Sequence, residues 1–186
     1  MSFDEYADWI GADIDLARTT RTWGVVTPRI TGSISILSSA LIIHVIMRSS
    51  TRLSSTYHRI MMSMSIHDII GSVAVALTSL PFPKDDKWVD VYNYDGMRLG
   101  NYATCSAQGF LQFYGFFGSY FYYQFLVVYY VCTVVFAMQP KRINTLVEPF
   151  MHIITIAISI WFSLDILLDE GYNPAPRGTS WCTMSK

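Results

Sequence analysis

Runs of about 20 or more mainly apolar residues recur four times along this chain and leave it few folds to choose from. A helix rises about 1.5 Å per residue and so crosses a hydrocarbon core about 30 Å thick in about 20 residues. Only structures that pair their own backbone groups persist at that depth. Judged by their flanking residues, the runs predict helices over 27–47, 54–80, 105–138 and 147–168, with a tail at 1–26 and a final segment at 169–186. Thr27 and Pro28 suit a helix cap and first position, and Arg48 ends the first run. Pro81 and Pro83 cannot continue the second run, and Pro140 closes the third. The third run exceeds what a bilayer needs, so its helix tilts or projects. Thr145 and Glu148 have capping-box spacing at the start of the fourth, with Pro149 in its first turn. The expected fold class is all-α, an integral membrane bundle of four transmembrane helices.

Composition agrees. Apolar residues make up 52% of the chain and charged residues 15%, against about a quarter charged in soluble domains. The 13 basic residues are scattered among 14 acids with a net charge of −1, which excludes a nucleic-acid footprint. Cys105, Cys132 and Cys182 fit neither a redox pair nor a zinc site, and no metal is expected. The N-terminus lacks the basic stretch and short apolar core of a signal peptide, so the first helix is expected to direct targeting. Enzymatic chemistry is not expected, because no ligand cluster or activated nucleophile setting is visible.

Orientation rests on two arguments. Arg18, Arg21 and Arg29 before the first helix balance Arg48, Arg52 and Arg59 after it. The short loops after helices one and three nevertheless carry Arg48, Arg52, Arg59, Lys141 and Arg142, a basic density that favours the cytoplasmic side. With four spans, Cys105 and Cys182 share one face, and disulfides persist only on an oxidising face. Both arguments place the N-terminus outside, in a multi-pass protein of the plasma membrane.

Asp68 lies near the middle of helix two, where an acid costs about 2.5–3.5 kcal/mol on insertion scales. Helical spacing puts Ser65, Gly71 and Ser72 on its face, so it points into a polar seam. Two readings stand: a proton or cation site that biases a switch, or a protonated acid bonded to serines. His67 projects elsewhere on the wheel and reads as a packing contact. Gly32, Ser35 and Ser39 form a small-residue face on helix one for close packing against helix two. Cys105, Gln108, Gln112, Gly115, Ser119 and Tyr122 share one face of helix three and should look into the bundle. Asp165, Asp169 and Glu170 at the end of helix four read as a solvated end or an attraction for a cationic ligand. Glu148 and His152, four residues apart, read as an interfacial pair.

Several of these features together resemble a G-protein-coupled receptor. The carriers are the basic end of helix one, the stretch from Leu53 to Asp68 with its Ser65-Ile-His-Asp68 setting, the Gly-Asn-Tyr-Ala-Thr-Cys105 sequence, and Trp181-Cys182 after helix four. The resemblance implies that the four helices correspond to the first four of a seven-helix receptor. It implies a Cys105 to Cys182 disulfide, and an internal ion and water pocket at Asp68, with Ser119 as its hydroxyl partner and a sodium ion or proton as occupant. Ligand contacts are then expected at Gln112, Phe113 and Phe116, with Asp165 a further candidate. Tyr129-Tyr130-Val131 stands where the family has an aspartate-arginine-tyrosine triplet, and Ser39 or Ala40 stands near the place of the helix-one asparagine. These departures favour a divergent protist-type or cyclic-AMP-receptor-like branch.

The function so implied is sensing of an extracellular ligand, with a heterotrimeric G protein as partner of the full receptor, the lipid bilayer as surroundings, and assembly with other receptor chains. Helices five to seven are not among these residues, so a truncated receptor is expected. The competing class is a four-span structural or ion- or proton-transport protein with Asp68 on its path.

Overall fold

The computed structural model describes residues 3–84, 98–174 and 181–184, with side chains from Trp23 onward. Helix α1 spans Phe3–Arg48, α2 Thr56–Ala76 and α3 Tyr102–Tyr130, the last continued by a wider π-turn at Val131–Val135. Helix α4 covers Pro140–Leu168 and contains a second π-turn at Ile143–Val147. Two short strands, β1 at Tyr172–Pro174 and β2 at Cys182–Met184, pair antiparallel with Pro174 opposite Cys182. The chain is therefore mostly helical, and the segment after helix four adds a hairpin that an all-α reading did not include.

Three helices are long and apolar enough to span a membrane, at Trp23–Arg48, Thr56–Ala76 and Pro140–Leu168, and they mark the chain as a membrane protein. Helix α3, the expected third span, is not among them. Its tyrosines and its Gln108, Gln112 and Gln124 lower its mean hydropathy, although it lies between α2 and α4 and packs on both.

The helix ends correct several sequence-based boundaries. Helix α1 does not start at Thr27. It is a single helix of 46 residues with Pro28 inside it, so the expected tail at 1–26 is helical from Phe3 onward. Proline removes one backbone donor, and Thr31 adds a local bond by donating from Oγ1 to the Thr27 carbonyl at 2.9 Å. Such interruptions are tolerated in membrane helices where other groups re-satisfy the backbone.

Helix α2 stops at Ala76, ahead of the prolines, and Thr78 adopts a left-handed φ of 48°. The carbonyls released there find donors: Gln108 Nε2 bonds to Ala74 O and Thr78 O, each at 2.8 Å. Helix α3 begins at Tyr102 instead of 105 because Asn101 and Thr104 form a reciprocal capping box.

The capping box expected at Thr145 and Glu148 is absent. Pro140 instead opens α4, Thr145 Oγ1 donates back to the Lys141 carbonyl at 2.9 Å, and Glu148 turns toward α2. Proline normally clashes with the carbonyl four residues earlier, and here the wider π-turn immediately precedes Glu148-Pro149. Pro149 is thus tolerated within the helix, one residue after that turn.

Packing follows small residues. A Cβ added at Gly115 would collide with the Gly71 backbone, so α2 and α3 cross backbone to backbone at these two positions. Gly32 brings α1 close to α2, where an added Cβ would lie 3.0 Å from Ser72 O. Helix α2 lies between α1 and α3, and α3 lies between α2 and α4. Two apolar clusters mark the ends. Ile60, Tyr122 and Met151 join α2, α3 and α4 near the basic loops, while Phe82, Cys105 and Cys182 pack together at the hairpin end.

Candidate functional site

Asp68 is half-buried in the middle of α2 and takes its hydrogen bonds from α1. Ser35 Oγ donates to Oδ2 at 2.7 Å and Ser39 Oγ to the same oxygen at 2.6 Å. The small face of α1 thus supplies both close packing and the hydroxyls. Among the described residues no ion pair reaches this carboxylate. Ser65, expected on the same seam, is buried with its hydroxyl unpartnered and does not hold Asp68.

Two clefts meet at Asp68. One, of about 320 Å³, is lined among others by Gly32, Ser35, Gln112, Phe116 and Ser119. The other, of about 390 Å³, is lined by Ser39, Met64, Phe116, Ser119, Tyr120 and Tyr123 among others. The structure therefore brings Asp68, Gln112, Phe116 and Ser119 together on the side of α2 that faces the gap between α1 and α3. Ser119 does not bond Asp68, and its Oγ lies 3.4 Å from the Met64 carbonyl. Gln112 Oε1 is buried without a partner. Phe113 packs elsewhere, against Phe117 and Tyr172, and Asp165 is exposed on α4 and lines neither cleft.

The Cys105 to Cys182 disulfide is formed, with Cα atoms 5.4 Å apart, and Cys132 is free. Gln108 reinforces the bridge by accepting from Cys182 N at 3.0 Å while donating to α2, so a single buried side chain ties α2, α3 and the hairpin together. Tyr172 completes that end. Its hydroxyl donates to Ser163 O at 3.0 Å, its ring lies over Gly109, and burial pushes its phenol up to about 12.

A second carboxylate constellation sits at the opposite, basic end, and sequence reasoning caught only its edge. Glu148 accepts from Thr56 Oγ1 at 2.8 Å and from Arg59 through both Nε and Nη2. Arg59 also donates to Leu53 O and Asn144 Oδ1, which joins the loop before α2 to the first turns of α4. His152 lies one turn further along α4, with Nε2 3.7 Å from Glu148 Oε1 and Nδ1 2.7 Å from the Tyr122 hydroxyl. The expected Glu148 and His152 pair is present, but the principal partner of Glu148 is Arg59. The available signal was an acid in α4 and an arginine in α2 toward the same end of the bundle.

His67 is buried against α3, where an added Cβ at Gly118 would strike its ring, and it stands between Tyr114 and Tyr122 as a packing contact. Among the described residues no group of three or more His, Cys, Asp or Glu side chains could hold a metal ion. The sequence matches no protein-family model and no curated protein.

Proposed function

We propose that the chain is the helix-one-to-four portion of a G-protein-coupled-receptor-like protein of the plasma membrane, with its N-terminus outside, in which Asp68 biases a helix equilibrium governed by an extracellular ligand. The observation that carries this reading is the setting of Asp68. A carboxylate at mid-helix, held among the described residues by neutral hydroxyls alone and open to clefts on α3, is available to a proton or a small cation. In this reading α3 also spans the membrane, which makes four spans in all. It lies between two helices that are themselves long and apolar enough to cross, and it turns Gln108 and its glycines inward. The disulfide between the start of α3 and the hairpin is the arrangement that the resemblance implies, and it supports an outer location for that end. Coupling to a heterotrimeric G protein belongs to helices beyond these four, as does the rest of the ligand pocket.

The test has two steps. Full-length message beyond the Lys186 codon should encode three further apolar spans. In that receptor, Asp68→Asn should abolish the cation or pH dependence of ligand binding while surface expression is retained. Unchanged dependence in the variant returns Asp68 to a structural role.

A second reading, ion or proton translocation by a four-span protein, draws on the way the two clefts meet at Asp68. It predicts proton or sodium flux into liposomes containing the protein, lost in Asp68→Asn. Tight liposomes would eliminate it.

A further inference from the structure

We propose that Tyr122, His152, Glu148 and Arg59 form a proton-responsive latch at the basic end, which tightens the junction of α2, α3 and α4 when His152 is protonated. The latch stands on its own geometry and does not depend on the receptor reading.

The argument begins with the carboxylate's capacity. A carboxylate offers about four acceptor positions. Thr56 Oγ1 and Arg59 Nη2 occupy two on Oε2, and Arg59 Nε occupies one on Oε1. The remaining position, on Oε1, faces His152 Nε2 across 3.7 Å, too far for a formed hydrogen bond and near enough for one to form by a small ring movement. On the other side of the same ring, Nδ1 is already bonded to the Tyr122 hydroxyl at 2.7 Å. A neutral imidazole carries one N–H donor, whereas a protonated one carries two. The neutral ring can meet both neighbours only with the Tyr122 hydroxyl donating to Nδ1 and an uncharged Nε2–H facing Glu148, whereas the protonated ring donates to both and its bond to the Glu148 carboxylate becomes charge-assisted.

The surroundings make this ring the responsive member. Glu148 is buried, whereas 28% of the His152 side chain is exposed, which makes the ring the more open of the two. The other titratable groups around it are Arg59 and His67 on α2, Tyr122 on α3 and Glu148 on α4 itself. His67 is committed elsewhere, with Nδ1 2.8 Å from Ser63 O on its own helix. The π-turn before Glu148 fixes the geometry, since a wider turn changes which way the following side chains face.

The experiment uses the whole chain in lipid nanodiscs and follows thermal unfolding between pH 7.5 and pH 5.5. The midpoint should rise on acidification by about 2–4 °C, the size a single interaction of this kind gives in a chain of this length. His152→Gln keeps a hydrogen-bonding side chain without a titratable proton and should flatten the dependence while leaving the midpoint at pH 7.5 close to the parent's. Glu148→Gln should flatten it as well. His67→Gln and His58→Gln should leave it in place. A parent protein with no pH dependence, a dependence that survives His152→Gln, or one that disappears in His67→Gln or His58→Gln overturns the latch.

Discussion

The two ends of this bundle are fastened by different chemistry. At the basic end, α2 and α4 are joined through a buried carboxylate that meets a guanidinium, a hydroxyl and a nearby imidazole. At the hairpin end, the same helices and α3 are joined by a disulfide, by the neutral amide of Gln108 and by the hydroxyl of Tyr172. On the latch proposed above, the charged joint responds to acidification between pH 7.5 and pH 5.5, and it fails badly if one partner is removed. The covalent and neutral joint is expected to ignore that interval and to fail in smaller steps. Asp68 lies between them and belongs to neither type, for it has hydroxyl partners but no cation among the described residues.

The largest effect should come from halving the charged joint. Arg59→Ala leaves Glu148 buried without its counter-ion, which costs about 3–5 kcal/mol in comparable buried pairs. Replacing both partners together, Arg59→Met with Glu148→Leu, should recover most of that loss, because the desolvated charge is then gone. Chemical unfolding in mild detergent measures both. A cost for Arg59→Ala under about 1 kcal/mol would mean that the pair behaves as an exposed one, and the contrast between the ends would disappear.

Much of the architecture was legible because membrane depth restricts sequence so strongly. Apolar runs gave the helices, and the three- and four-residue steps from Cys105 to Tyr122 gave the face of α3 that turns inward, on which Cys105, Gln108, Gly115 and Tyr122 are buried. The small face of α1 was legible for the same reason, since Gly32, Ser35 and Ser39 recur once per turn. What escaped depends on contacts between distant residues. Thr145 and Glu148 have the spacing of a cap, yet Arg59 and Thr56 from another helix outbid the local bond. Pro28 has the position of a helix start, yet the residues before it continue the helix. Residue spacing also could not separate Gln112 and Phe116, which line the clefts at Asp68, from Phe113, which packs under the hairpin.

The next effect belongs to the covalent joint. Cys105→Ser with Cys182→Ser opens a loop of 77 residues and should cost about 2–4 kcal/mol in the same unfolding experiment. The loss should be equal at pH 7.5 and pH 5.5, because no histidine lies at that joint among the described residues. A loss that changes across this interval would show that the two ends are coupled through α3, and the comparison would have to be redrawn as one cooperative network.

The smallest effect separates the neutral bonds of the hairpin end from its disulfide. Tyr172→Phe removes one buried hydrogen bond to Ser163 O and should cost about 0.5–1.5 kcal/mol. The parent protein carries the same information in alkali. An unfolded tyrosine titrates near 10, while burial holds Tyr172 at about 12, so the folded state binds this proton more tightly than the unfolded state does. By linkage, the contribution of Tyr172 is fully present below pH 10 and is lost as pH rises toward 12, where ionisation forces the phenolate away from the carbonyl it had donated to. Unfolding midpoints measured from pH 9 to pH 12 should therefore fall more steeply in the parent than in Tyr172→Phe. Parallel curves would show that this hydroxyl is wet in the folded protein, and Gln108 and the disulfide alone would then account for how the hairpin is held.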